Sequence, residues 1–171
     1  MINMYSVPLT TLVQEFDLEV AFAATDYTAV RLTVEDVSRP GLQLAGYFDH
    51  FEPMRLLVIG NVEHSYLQKI SATERAITFD RLFSYKFPAL LVARGMPIDP
   101  ICMEMAQKHN VTILRSQQAT STIVSAIIAY LKAALAPRIT QASSVRRMLS
   151  RLRWLANSDA SRCIFNSKNP A

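Results

Sequence analysis

The sequence predicts an α/β fold, a three-layer sandwich with a mostly parallel sheet. Three observations predict it. Short apolar runs at Arg55–Ile59, Ala89–Ala93 and Val111–Leu114 have the length and composition of buried strands. Each is followed by a segment of helical periodicity, and strands that alternate with helices of about 10 residues or more are most simply parallel, with the helices on the faces of the sheet. Half of the 171 residues are hydrophobic and 19% are charged, so the chain can bury a real core.

The elements follow in order. Thr11-Leu-Val-Gln14 has capping-box spacing and predicts a short helix through Phe16. Leu18–Phe22 and Ala29–Val34 read as strands. Ser38-Arg39-Pro40-Gly41 predicts a type II turn, with Pro40 presetting φ and Gly41 taking the positive φ. Leu42–Phe51, which contains Gly46, fits either a strand or a helical turn. After Arg55–Ile59, Gly60 ends the strand and Asn61 is the expected cap of a helix that places Val62, Tyr66 and Ile70 on one face. Ser71-Ala-Thr-Glu74 is a second capping box, opening a helix with Ile77, Leu82 and Phe83 inward. Ala89–Ala93 stops at Arg94-Gly95, and Asp99-Pro100 combines a side-chain cap with proline at the first helical position. A last helix runs from about Thr120 to Leu135, with Ile123, Ile127, Tyr130, Leu131 and Ala134 on one face.

Charge divides the chain at Pro137. Residues 1–137 carry 11 Lys+Arg against 13 Asp+Glu, a balance of −2, whereas residues 138–171 carry 7 against Asp159 alone, a balance of +6. The expected organisation is therefore an α/β domain over 1–137 and a basic tail over 138–171, partly helical or disordered. Nucleic acid is expected as a partner only through that tail. Two cysteines, Cys102 and Cys163, are too few for a disulfide scaffold, no secretory signal opens the chain, and its longest apolar segment is too short to span a membrane. These features predict a cytoplasmic protein.

Familiar catalytic chemistry is missing. Neither G-x-G-x-x-G nor G-x-x-x-x-G-K-[ST] occurs, so no glycine-rich loop is prepared for a polyphosphate. His50, His64 and His109 lie on separate elements with no nucleophile motif nearby, and His109 suits a helix C-terminus. Cys102, Met103 and Met105 read as core packing, and Glu35-Asp36 and Asp49 with Glu52 as solvated charges or caps. No catalytic, cofactor-binding or metal-binding residue is assigned. Strand ends supply the one candidate set. Arg39, Arg94 and Arg115 with Ser116 lie where the carboxyl ends of parallel strands converge, suited to an anion, a nucleotide fragment or a carboxylate-rich partner.

The string Ser38-Arg39-Pro40-Gly41-Leu42-Gln43-Leu44-Ala45-Gly46-Tyr47-Phe48-Asp49 has a counterpart. With Val58-Ile59-Gly60, Glu63, Tyr66-Leu67, Arg94-Gly95, Ile113-Leu114-Arg115, Tyr130-Leu131 and Leu135-Ala136-Pro137, it resembles the N-terminal domain of bacterial HPr kinase/phosphorylase. The resemblance covers nearly all of residues 4–137. It implies a hexameric family that phosphorylates and dephosphorylates a serine of HPr in the sugar phosphotransferase system and so acts in carbon catabolite repression. Assembly and catalysis, with ATP and Mg, reside there in a C-terminal P-loop domain. The N-terminal domain resembles the first domain of certain Mur ligases, with regulation or partner contact as its role.

Beyond Pro137 the sequence departs from the family. A family member continues into a strand and a P-loop of the form G-E-S-G-x-G-K-S, where this chain reads Arg138-Ile-Thr-Gln-Ala-Ser-Ser-Val. The phosphate-holding lysine, the metal-binding carboxylates and the catalytic acid/base have no counterpart, so the polypeptide is expected to have no kinase or phosphorylase activity of its own. The resemblance then implies a non-catalytic domain whose partners are HPr or the missing catalytic domain, or a second copy in a homo-oligomer. In the tail, Val145, Met148, Leu149, Leu152 and Leu155 form a helical stripe beside Arg146, Arg147, Arg151 and Arg153. Three readings stand: a basic helix that docks elsewhere, a helix packed on the body, and an out-of-frame or truncated gene product.

Overall fold

The computed structural model describes residues 5–136. The basic tail and its apolar stripe lie outside the described residues. In chain order the elements are β1 (Val7–Pro8), α1 (Leu9–Glu15), β2 (Glu19–Phe22), β3 (Arg31–Leu32), β4 (Val37–Ser38), α2 (Gly41–Leu44), β5 (Leu56–Ile59), α3 (Asn61–Lys69), α4 (Ala72–Phe83), β6 (Ala89–Val92), α5 (Pro100–His109), β7 (Thr112–Arg115) and α6 (Thr120–Leu135).

The expected α/β architecture is present. A five-stranded sheet has the order β2-β7-β6-β5-β4, in which β4 to β7 are parallel and β2 joins β7 antiparallel at the edge. Strand residues alternate between two cores, as the two-residue period of a pleated strand requires. Leu56, Val58, Ala89, Leu91 and Leu114 pack on one side against α1 and the Ile123, Ile127 and Leu131 stripe of α6. Leu57, Ile59, Leu90, Val92 and Ile113 pack on the other against Leu44, Leu67, Phe79, Phe83 and Ala106 from α2, α3, α4 and α5. The chain thus leaves β4, β5 and β6 toward one face and β7 toward the opposite face.

Several local expectations are corrected. Thr11 does not cap a helix: α1 begins two residues earlier, with Pro8 at the N-cap and no side-chain cap. The run Ala29–Val34 forms only β3, which pairs antiparallel with β1 in a separate two-stranded ribbon. Pro40 and Gly41 do not form a type II turn. Pro40 (φ −81°, ψ 31°) is the N-cap of the single helical turn α2, and the positive φ falls later, at Gly46 (+92°). Leu42–Phe51 is therefore a helical turn followed by loop.

Polar partners decide which face of α3 is inward. Val62 is 70% exposed and Tyr66 38%, whereas Glu63 and Leu67, one residue on, are buried. A shift of one residue rotates a helix by about 100°. Asn61 is the first helical residue rather than the cap, which is Gly60. In α4 Ile77 faces solvent, and Phe79, Leu82 and Phe83 are inward.

The remaining start signals hold. Ser71 Oγ accepts from the Glu74 N–H and Glu74 accepts from the Ser71 N–H, which holds the Glu74 carboxyl below its usual range. Asp99 caps α5, with Pro100 in the first turn. His109, in the last turn of α5, and Lys108 both meet Asp80 at 2.7 Å, and these contacts lower the Asp80 pKa. Cys102 is a core residue whose thiol is pushed up by burial.

Candidate functional site

The carboxyl ends of the four parallel strands place Arg39, Gly60, Arg94-Gly95 and Ser116 along one edge of the sheet. Between β6 and β7 the chain departs to opposite faces, the arrangement that opens a crevice in α/β sheets. Here backbone hydrogen bonds sew the two loops together. The Arg94 N–H donates to Gln118 O (2.9 Å), the Gly95 N–H to Ser116 O (2.7 Å) and the Ser116 N–H to Val92 O (2.9 Å). Arg94 and Gly95 reach this geometry with φ of +63° and +60°. That region disfavours a side chain, so Arg94 carries strain that its neighbour Gly95 does not.

The structure separates the predicted arginines. Arg115 is part of β7 and forms a two-pronged pair with Glu19 across the sheet edge, at 2.9 and 2.8 Å. Arg39 donates through Nη2 to Glu63 Oε2 (2.8 Å), with its side chain 45% exposed. The exposed Arg94 side chain has no partner among the described residues. Ser116 is buried, and its Oγ accepts from the Gln118 N–H (3.2 Å), a loop-closing contact. Arg39 and Arg94 thus border the edge, and Arg115 is committed to Glu19.

Three further residues complete the edge. Glu63, 4% exposed, also accepts from the Gly60 N–H at 3.0 Å, so one carboxylate oxygen closes the start of α3 and holds Arg39. Thr120, the first residue of α6, is buried, and its hydroxyl has no hydrogen-bond partner among the described residues. Gly60 makes room for it: a Cβ at Gly60 would stand 2.7 Å from Thr120 Oγ1 and 3.2 Å from Arg39 Nη2. The glycine followed three residues later by glutamate was the available signal for Glu63. Nothing in the sequence pointed to Thr120, because its surroundings are set by the crossing of α6 over the strand ends.

No group of three or more His, Cys, Asp or Glu side chains among the described residues is arranged to hold a metal, and no described helix is long and apolar enough to cross a membrane. A cleft of about 260 Å³ lies at the opposite, amino edge of the sheet, with Arg31, Lys86, His109 and Asn110 in its wall.

The sequence matches the family described as HPr Serine kinase N terminus over residues 7–131. The chain belongs to this HPr kinase N-terminal family. Among its relatives, the HPr kinase/phosphorylase of Lachnoclostridium phytofermentans is 38% identical over 137 residues, covering 80% of this chain and 44% of the relative. That of Streptococcus thermophilus is 35% identical over 133 residues, covering 78% and 43%. The chain spans a little under half the length of the curated relatives it matches. One solved structure, the CBS and DRTGG domains of the regulatory region of Clostridium perfringens pyrophosphatase complexed with the activator diadenosine tetraphosphate, covers 85% of this chain and 60% of its own. At a TM-score of 0.52 and 14% identity it shares the fold of this HPr kinase N-terminal domain.

Proposed function

We propose that this chain is a non-catalytic regulatory or interaction domain of the HPr kinase/phosphorylase type, acting in carbon catabolite repression, with the Mur ligase N-terminal-like version of the α/β fold. Its partners are HPr, a catalytic domain of the family, or a second copy of itself. One observation carries the reading. The match to the family's N-terminal model coexists with a sequence that has no G-x-x-x-x-G-K-[ST] loop to hold a triphosphate.

A surface suited to partner contact supports it. Phe48 stacks on Tyr85 (centroids 5.1 Å), Phe51 meets both edge-on, and the Arg81 guanidinium lies 4.4 Å from the Phe48 ring centre. Tyr47 beside them is 48% exposed. Aromatic and arginine side chains of this kind are enriched at protein interfaces. Incubating the chain with ATP, Mg and HPr is expected to yield no phosphoserine. Robust transfer overturns the reading.

A second reading is a module that binds a small anion or nucleotide fragment with Arg39, Arg94 and Arg115. Arg94, which has no partner among the described residues, and the half-exposed Arg39 lie along the same edge of the sheet and favour it, and the commitment of Arg115 to Glu19 narrows it. Calorimetry with uridine nucleotides and sugar phosphates is expected to show saturable heat with at least one of them; no heat with any removes this reading and leaves the first untouched.

A further inference from the structure

We propose that the cleft at the amino edge of the sheet binds a small organic monocarboxylate. Arg31 and Lys86 hold the carboxylate, and an apolar wall takes the carbon skeleton. The site is separate from the strand-end arginines and goes beyond both readings of the function. The first support is room. The cleft measures about 260 Å³, the volume of roughly nine water molecules. It lies where the chain enters β6 and β7, bordered by the turn that runs from Ala24 to Val30.

Its walls are fixed within the domain. Asn110 Oδ1 accepts from the Thr25 N–H (2.8 Å), and Asn110 Nδ2 donates to Thr25 Oγ1 (2.7 Å). The Thr112 hydroxyl oxygen accepts from the Ala24 N–H (3.1 Å), so the turn is tied to the start of β7. Thr112 lines the cleft at 1% exposure, and having accepted through its oxygen it keeps its O–H proton to donate.

The second support is charge that the domain leaves unspent. Arg39, Arg55, Arg75, Lys108 and Arg115 each meet a carboxylate. Among the described residues the Arg31 guanidinium touches only the neutral Ser6 hydroxyl (3.3 Å), and the Lys86 ammonium meets no partner. Both residues line the cleft. Lys86 also holds a conformation that costs a lysine. Its φ is +50°, in the left-handed region where glycine is unstrained, at the turn that closes α4. A glycine would end the helix more cheaply and would bring no ammonium to the cleft.

Sign and surface identify the ligand class. Asp26 is the one carboxylate among the described residues of the wall, so two cations against it leave a single positive charge. His109 is occupied with Asp80. Helices α4 and α5 both end at this edge, and the negative ends of their dipoles oppose dense anionic charge. A dianionic phosphate meets that opposition twice over. A monocarboxylate matches the single charge, and its two oxygens suit the planar fork of Arg31. Phe87 and Val111, each 3% exposed, form with Val30 and Pro88 an apolar wall that a hydrated inorganic ion cannot use.

Titrating the full 171-residue chain with benzoate and with isovalerate, followed by backbone-amide NMR, tests the site. Saturable shifts are expected at Arg31, Lys86, Phe87, Asn110 and Val111 with at least one of the two. Benzamide, the neutral counterpart of benzoate, is expected to bind at least about threefold more weakly than benzoate. Lys86→Gly is expected to weaken carboxylate binding about threefold to tenfold while the melting temperature stays level or rises. Arg31→Gln should cost a similar factor. Asp26→Asn removes the opposing charge and keeps an acceptor for Asn110, so it should strengthen binding about twofold to fivefold, a gain that no loss of folding imitates. No saturable shift with either carboxylate, equal binding of benzamide, or affinity indifferent to both Lys86→Gly and Arg31→Gln overturns the proposal. Shifts confined to Gly60, Arg94 and Gly95 overturn it as well and assign the anion to the opposite edge.

Discussion

Glu63→Ala is expected to lower the free energy of unfolding by about 2–3 kcal/mol. Glu63 is 4% exposed, and a single oxygen accepts from the buried Gly60 N–H at 3.0 Å and from Arg39 at 2.8 Å. Removing the carboxylate leaves the Gly60 donor without an acceptor and opens a void between α3 and the strand end. The Arg39 side of the contact adds less, because that side chain is 45% exposed and exchanges its acceptor for water. Glu63→Gln, which keeps both the volume and an acceptor, is expected to cost about half as much. Urea denaturation with an unchanged slope reads both values. A loss below about 0.5 kcal/mol in Glu63→Ala shows that the buried carboxylate is replaced by water at no cost.

The same residue explains what the sequence conveyed and what it did not. The three central strands were legible because Leu56–Ile59, Ala89–Val92 and Val111–Leu114 are buried and so read as largely apolar runs. The Ser71–Glu74 and Asp99–Pro100 starts were legible because side chain and backbone satisfy each other within a few residues. The face of α3 was not. Val62, Tyr66 and Ile70 form the more apolar set, but Arg39, 24 residues away, and the Gly60 N–H draw Glu63 inward. β3 was overextended because its ribbon partner, β1, contributes only Val7–Pro8. Pro40-Gly41 has turn chemistry in isolation, yet Leu44 goes into the core and draws the segment into a helical turn. The strand-end arginines were found from order along the chain. Their partners were not, because Glu19 sits 96 residues from Arg115 on an antiparallel edge strand.

Gly60→Ala is expected to destabilise the domain by about 2 kcal/mol, and Thr120→Ala in the same chain to restore most of that loss. Backbone conformation is not the cause, since Gly60 has φ −111° and ψ −167°, within reach of any residue. Space is the cause. The new Cβ would stand 2.7 Å from Thr120 Oγ1 and 2.8 Å from Thr120 Cγ2. Arg39 Nη2, at 3.2 Å, is the tip of a flexible side chain and can yield. Thr120 cannot, because the buried Ile123, Ile127 and Leu131 fix α6 against the sheet. The alanine must therefore displace the first turn of α6 or the end of β5. Thr120→Ala removes both offending atoms, one of them a buried hydroxyl oxygen with no partner among the described residues, so it should cost little alone and couple to Gly60→Ala by about 1–2 kcal/mol. Denaturation of the four chains of this double-mutant cycle measures the coupling. If the two losses simply add, the contact between Gly60 and Thr120 is not what holds the start of α6 in place.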